Sequence, residues 1–400
     1  MKCVLISSNF YPDNVISAIH FTDIALGLKE RGFDVDVITS SYKWKTHEKI
    51  EPSFEQYKGI NVYRCWKPKF LKDSSYIGRF LGSIVLSVSF FLKALFIKTD
   101  WILFGTNPPF AYFIIPLLKI FKRKTKLAIY GHDLYPEAME AVGIRLPKWS
   151  YAILRWFAKK SYQSCDALID IGECMRRRFN YYQPTAKEET IIPWALFEPT
   201  EIPSIDIEVR KAHFGDAKLG ILYSGTVGVV HRFDEVLALA RELRTRKADV
   251  AFCFAGYGNK YSDLKAKITN DDTNITFAGF IDEKDLGKRL SCSDLSLVTL
   301  EYGFDGISVP SKFFGAIAVG QPILYSGTEK SSLYDIVLEN KIGYCLSPDN
   351  IMQIADELEQ LSKNTLEINI MKQRAFELYN KNYKKSIACD KFADFLKKNI

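Results

Sequence analysis

Residues 219–234 read LGILYSGTVGVVHRFD, and this stretch decides the fold. Its opening, Leu219–Ser224, is an apolar run of the length and kind expected of a strand buried on both faces. Gly225 and Gly228 follow, with Thr226 between them, and then His231 and Arg232, where a helix is expected to start and run to Arg244. A strand, a glycine loop and a helix in that order make half of a βαβ unit. In such a unit the loop's backbone N–H groups can approach an anion, and the helix N-terminus adds positive potential. Many plain turns share the Gly-x-x-Gly spacing, so this loop alone does not specify a ligand.

Downstream, the same alternation repeats. Strands are expected at Val250–Ala255, Ile275–Ala278, Leu295–Leu300, Pro322–Ser326 and Gly343–Leu346, separated by helical stretches, which describes a doubly wound parallel sheet. Two more loops fall at strand ends. One is Gly256-Tyr257-Gly258. The other, Gly306 to Lys312, carries the hydroxyls of Ser308 and Ser311 and a lysine beside Pro310, a helix-start signal. Neither a Walker loop nor a full G-x-G-x-x-G is present, which argues against an ATPase and a nicotinamide dehydrogenase.

Upstream, the first forty residues read as strand Cys3–Ser7, a helix ending at Arg31-Gly32, and strand Asp34–Thr39. Further strands are expected at Ile60–Arg64, Trp101–Phe104, Lys126–Tyr130 and Ala167–Ile171. After Tyr130 comes Gly131-His132-Asp133-Leu134-Tyr135-Pro136-Glu137. His132, Asp133 and Glu137 thus sit at a strand's carboxyl end, where they can position hydroxyls and relay protons. The expected organisation is α/β, with two Rossmann-like doubly wound domains facing a cleft. The first domain takes residues 1–195, a linker 196–205, and the second 206–380. Residues 381–400 form a helix expected to pack back on the first domain.

Over the whole 400 residues the formal charge is +7, but residues 41–160 alone carry +13. A basic excess placed this way suits an anionic membrane surface or a nucleic acid, and equally a merely solvated face. Two apolar blocks, Phe80–Leu92 and Phe110–Phe121, lie inside it. The first has thirteen residues, short of the roughly 20 needed to span a bilayer. Such blocks are either core helices or helices half-embedded at a membrane face, and long apolar runs favour the membrane over a nucleic acid. Eight cysteines without a C-x-x-C pair read as buried free thiols in a reducing compartment, and five scattered histidines give no metal site.

The runs SGTVGVVHRFD (224–234), FAGYGN (254–259), NITFAGFI (274–281) and VPSKFFGAIAVGQP (309–322) resemble the donor half of family 4 GT-B glycosyltransferases, especially bacterial surface-polysaccharide sugar transferases. DLYPE (133–137) and TNPP (106–109) are similar to that family's first half. The resemblance implies a retaining, metal-independent hexosyltransferase without a cofactor. It implies a nucleotide-sugar donor, expected to be a UDP-sugar, and a glycan or polyprenyl-linked acceptor. The basic excess over 41–160 with its apolar blocks leads us to expect peripheral attachment of the first domain to the anionic inner, cytoplasmic face of the cell membrane, with no nucleic-acid partner. The donor-binding residues carried over are Ser17, Gly225, Thr226, His231, Arg232, Gly256, Gly258, Phe280, Ser308, Ser311 and Lys312. The catalytic ones are His132, Asp133 and Glu137, with His132 orienting the donor sugar. The chain departs from the family's E-x7-E motif, since Ile307 and Gly315 stand where its glutamates would be. That departure keeps two alternatives in view, a nucleotide-sugar 2-epimerase and a non-catalytic nucleotide-sugar or lipid-binding protein.

Overall fold

The computed structural model describes residues 1–44, 46–66, 76–279 and 285–400. It divides into two compact units. Unit 1 comprises Met1–Pro193, Gly306–Val309 and Lys385–Ile400. Unit 2 comprises Trp194–Asp305 and Pro310–Lys384.

Unit 1 holds eight strands. They are β1 (Lys2–Ile6), β2 (Asp34–Ser40), β3 (Phe54–Tyr57), β4 (Ile60–Cys65), β5 (Trp101–Gly105), β6 (Lys126–Tyr130), β7 (Ala167–Asp170) and β8 (Lys187–Thr190). Their order across the sheet is β3-β4-β2-β1-β5-β6-β7-β8. All neighbours run parallel except β3 and β4, which form a hairpin across Lys58-Gly59. The central strands are continuous apolar runs because helices cover both faces; β1, β5 and β6 are almost wholly buried. The strands that sequence patterning missed are β3 and β8. Lys187–Thr190 reads Lys-Glu-Glu-Thr, a polar edge strand with no hydrophobic alternation to detect. The helix Lys385–Lys398 packs on the helix Ile16–Glu30 within this unit. There Trp101 Nε1 donates to the Leu396 carbonyl at 3.1 Å, and Phe392 meets the Tyr130 ring edge-on.

Unit 2 holds six parallel strands. They are β9 (Leu219–Thr226), β10 (Val250–Tyr257), β11 (Ile275–Ala278), β12 (Leu295–Thr299), β13 (Ile323–Ser326) and β14 (Gly343–Leu346), ordered β11-β10-β9-β12-β13-β14. Its core joins Ile221, Tyr223, Val236, Leu239, Phe252 and Phe254 to Leu358 from the helix Ile351–Leu361. Each such buried aliphatic or aromatic side chain contributes about 1.5–3 kcal/mol relative to exposure.

Both sheets are doubly wound, as the alternation of apolar runs and helical stretches implied. In each, successive connections reverse direction at one place, between β1 and β5 in unit 1 and between β9 and β12 in unit 2. Ligands of open α/β sheets bind outside the carboxyl ends of the strands at such a switch point. The expected single helix Phe110–Phe121 is instead a short 3-10 turn, Ala111–Ile114, followed by the helix Ile115–Phe121 with Pro116 in its first turn.

Candidate active site

In unit 2 the switch point lies between the ends of β9 and β12. Gly225 and Gly256 are register partners at the extended ends of β9 and β10. Gly256 has φ +148, and a Cβ there would lie 2.0 Å from the Gly225 carbonyl oxygen, so no side chain fits. A Cβ at Gly225 would lie 2.6 Å from Cε of Lys312, so its absence admits the lysine stem to the strand end. The Val227 N–H donates to the Tyr257 carbonyl at 2.7 Å and ties the two glycine loops together around Thr226 and Gly258.

Lys312 and His231 meet at this place. Their nitrogens, Nζ and Nε2, are 3.0 Å apart. The other ring nitrogen, Nδ1, faces the Thr299 carbonyl at 3.0 Å at the end of β12. A carbonyl can only accept, so Nδ1 carries the proton and Nε2 accepts from the ammonium. Burial, reinforced by the Lys312 charge, pulls His231 down to about 3, so the ring is neutral at physiological pH. Burial also pulls Lys312 down to about 8, which leaves it charged at pH 7. Its ammonium lies 5.1 Å from the Tyr223 ring centroid, a cation–π contact. Among the described residues no carboxylate ion-pairs with Lys312. A half-buried cation whose partners among the described residues are a neutral ring and an aromatic face is poised for an anion.

Arg232 is placed differently. It lies 3.1 Å from Glu235, 3.5 Å from Asp234 and 3.9 Å from Glu301, and its guanidinium stacks over Tyr302. Its charge is therefore largely offset inside the protein. The helix expected to begin at Arg232 begins at Asp234, and Asp234 and Glu235 occupy its first turn, offsetting the positive end of its dipole. Ser311 precedes the helix Lys312–Ala318 without a side-chain capping bond. Gly315, in the second glutamate position of the family motif, has open surroundings, with Leu290 the nearest atom at 3.7 Å from a built Cβ. Phe280 lies outside the described residues.

Four other sequence-derived candidates, with Ser17 and the tyrosine network around Glu137, belong to unit 1. Thr106, just past β5, accepts the backbone N–H groups of His132 (3.2 Å) and Asp133 (3.1 Å). The His132 ring sits edge-on to Tyr130 at 4.3 Å, near Phe21 and His20. Burial, with His20 adding to it, pulls its pKa to about 3, and its buried Nε2 has no hydrogen-bond partner among the described residues. Asp133 accepts from the Ser308 hydroxyl, while burial raises its pKa. Ser308 was expected with the donor-binding set of the second domain. The structure gives Gly306–Val309 to unit 1, where the Leu134 N–H donates to the Ile307 carbonyl at 3.2 Å. Glu137 accepts from the Tyr182 hydroxyl, and Tyr162 donates to Tyr112 nearby. Ser17 lies in the first turn of the helix Ile16–Glu30, its hydroxyl accepting from Asn9 Nδ2 at 2.7 Å. The Ser8 N–H reaches the Asn107 carbonyl at 2.8 Å, joining the loops after β1 and β5 at that unit's switch point.

Sequence reasoning missed Thr299, Tyr223, Glu301 and Thr106. Thr299 and Thr106 end or follow strands, an address that could have flagged them. The role of Glu301 depends on a contact with a residue 69 positions away and leaves no local signal.

Known proteins match this geometry across the chain. The model for glycosyl transferases group 1 matches residues 205–378, and the model for glycosyltransferase family 4 matches residues 17–193, so together they take in most of the chain. A curated relative, the probable glycosyltransferase WbjE of Pseudomonas aeruginosa, is 25% identical over 98% of this chain and 97% of its own. Among solved structures, Anabaena HepE in complex with UDP-glucose is 13% identical, covers 100% of both chains and superposes with a TM-score of 0.68. WaaG, a glycosyltransferase involved in lipopolysaccharide biosynthesis, is 14% identical over 98% of this chain and 99% of its own, with a TM-score of 0.64. Two doubly wound units, each matched by its own half of one enzyme family, leave one assignment: the chain belongs to the family 4 glycosyltransferases of the GT-B fold.

Proposed function

We propose that the protein is a retaining, metal-independent hexosyltransferase. It moves a sugar from a UDP-sugar to a glycan or polyprenyl-linked acceptor during cell-surface polysaccharide synthesis. The observation that carries this reading is Lys312, a half-buried cation with no carboxylate partner among the described residues, set against Gly225 at the switch point of unit 2. A departing nucleoside diphosphate gathers negative charge as the glycosidic bond breaks. A preorganised, desolvated ammonium stabilises that charge more than water does. Gly225, Gly256 and Gly258 let the two strand ends and the Lys312 stem pack closely, Thr226 and Ser311 supply hydroxyl donors for the phosphates, and His231 positions the Lys312 ammonium.

Unit 1 takes the acceptor. Neutral His132, fixed through the Thr106 bond to its backbone, offers Nε2 to a sugar hydroxyl. The anomeric carbon passes through an oxocarbenium-like state. Attack on the face the diphosphate leaves, with the acceptor proton passing to the departing phosphate oxygen, retains the anomeric configuration. The UDP-glucose complex of HepE and the lipopolysaccharide role of WaaG support the donor class and the acceptor setting.

The test is to incubate purified protein with UDP-, GDP- and TDP-sugars and candidate polyprenyl-diphosphate acceptors, with and without a chelator. Nucleotide release and the product anomer are then measured. Release of UDP unaffected by the chelator, and a product with the donor's anomeric configuration, are expected. Binding of a nucleotide sugar with no turnover on any acceptor would instead make the protein a binder.

A further inference from the structure

Three buried tyrosine hydroxyls converge on the loop that carries His132 and Asp133. The loop, residues 131–137, follows β6 and leads into the short helix Glu137–Ala141. Its first part is held through its backbone. The Gly131 N–H donates to the Ile169 carbonyl at 2.9 Å, and the Thr106 hydroxyl takes the next two N–H groups. Its far part is held by tyrosines. Tyr112 donates to the Tyr135 carbonyl at 2.7 Å, Tyr162 donates to the Tyr112 hydroxyl at 3.1 Å, and Tyr182 donates to Oε1 of Glu137. The three come from separate elements: the 3-10 turn Ala111–Ile114, the helix Lys148–Ser164, and the turn that follows the helix Glu173–Asn180.

Packing alone does not call for these hydroxyls. Tyr112 and Tyr162 are fully buried with stacked rings 5.5 Å apart, and the Tyr182 ring lies 5.1 Å from that of Tyr162, so phenylalanine would fill the same space. A buried hydroxyl costs free energy unless it is bonded. Here two of the bonds end on one loop and the third backs one of them. Burial pushes all three hydroxyls up, so each keeps its proton at neutral pH and remains a donor. The bond from Tyr162 polarises the Tyr112 hydroxyl and strengthens its hold on Tyr135. Glu137 is where the Tyr182 bond ends, and it makes no hydrogen bond to His132 or Asp133 among the described residues. Its second oxygen, Oε2, is buried without a hydrogen-bond partner there, so proton transfer is the rival role for this carboxylate.

We propose that Tyr112, Tyr162 and Tyr182, with Glu137 as their anchor, form a clamp that sets the position of His132 and Asp133, and that Glu137 is a positioning residue and not a carrier of the acceptor proton. The inference rests on the reading of unit 1 in which His132 meets a sugar hydroxyl, and two readouts on the full chain separate the two. The first needs no activity. Hydrogen exchange at the amides of His132, Asp133 and Leu134 should quicken about tenfold in Tyr112→Phe and in Tyr182→Phe, while β6 and β7 stay protected. Faster exchange throughout unit 1, or none at these three amides, would overturn the clamp. The second is kinetic, with the donor and acceptor that the wild type turns over. Tyr112→Phe, Tyr182→Phe and Glu137→Ala should each lower kcat about tenfold with donor KM unchanged. Glu137→Gln, whose amide oxygen still accepts the Tyr182 hydroxyl, should lower it only about threefold. Tyr182→Phe/Glu137→Ala should lose no more than either single variant, because one bond links the pair. A proton carrier would behave otherwise: Glu137→Gln would lose about a hundredfold or more, as much as Glu137→Ala, with Tyr182→Phe nearly silent, and that pattern would overturn the proposal. A wild type that transfers no sugar would refute the transferase reading, and the exchange result would still decide the clamp.

Discussion

Unit 1 and unit 2 present their candidate residues at the same address, the carboxyl ends of a doubly wound sheet, but they arm it differently. At the end of β9 in unit 2 the key group is a cation, Lys312, kept charged at pH 7 beside a neutral His231. After β6 in unit 1 the key group is a neutral imidazole, His132, among aromatic rings and a hydroxyl-bonded Asp133. An ammonium suits an anion. An uncharged ring nitrogen suits a hydroxyl, because it accepts or donates without adding charge near a developing carbocation. The contrast argues for a division of labour, with the diphosphate for unit 2 and sugar hydroxyls for unit 1.

Breaking the unit 2 side should cost most. Lys312→Ala is expected to lower kcat/KM by about 2–4 kcal/mol of transition-state stabilisation, roughly thirtyfold to a thousandfold, with donor affinity falling as well. His132→Ala should lower kcat by about a hundredfold while donor affinity, measured by calorimetry, stays nearly unchanged. If donor affinity falls as steeply in His132→Ala as in Lys312→Ala, the division is wrong. Gly256→Ala tests the scaffold. A Cβ 2.0 Å from the Gly225 carbonyl must move backbone, so the folded state should lose about 2–3 kcal/mol in urea unfolding.

Titration sharpens the same contrast. On the proposed reading the Lys312 ammonium is the form that binds the donor, and burial pulls its pKa down to about 8. kcat/KM should therefore fall as pH rises above about 8, up to tenfold per unit, and Lys312→Arg should remove that limb. Stability should respond at the other end of the scale. His132 and His231 titrate near 3 when folded and near 6.5 when unfolded, so the unfolded chain binds more protons between those values. Stability should then fall as pH drops through that window and stay flat above it with respect to these groups.

Much of this was legible in the residues. Buried parallel strands must be apolar on both faces, so Leu219–Ser224 and Lys126–Tyr130 stood out as short, mainly apolar runs, and glycines or polar clusters after them marked the strand ends. Edge strands obey no such rule, and Phe54–Tyr57 and Lys187–Thr190 passed unseen. The site residues were legible by type and address, but their partners were not. His231 and Lys312 are 81 positions apart, and nothing local shows that one neutralises no charge while the other keeps its own. The same blindness affected Ser308, since nothing local shows that its hydroxyl bonds Asp133 and that its segment belongs to unit 1.

Arg232 carries the smallest expected effect on activity and the closest test of the comparison. Read from its position after the glycine loop, it is a phosphate ligand equal to Lys312. In the structure Glu235, Asp234 and Glu301 already surround it. An arginine whose charge is offset this way adds little potential at the strand ends, and a partly exposed pair contributes below about 1 kcal/mol. Arg232→Ala should therefore change donor KM by less than about threefold. Its cost should appear in stability instead, because Glu235 is buried and would lose its cation, leaving a carboxylate that costs about 1–3 kcal/mol to keep unpaired. Arg232→Ala/Glu235→Gln should recover most of that loss, since a neutral amide needs no counter-charge. A KM effect as large as that of Lys312→Ala, with stability unchanged, would mean that the arginine leaves its carboxylates when the donor arrives, and unit 2 would then hold the diphosphate with two cations rather than one.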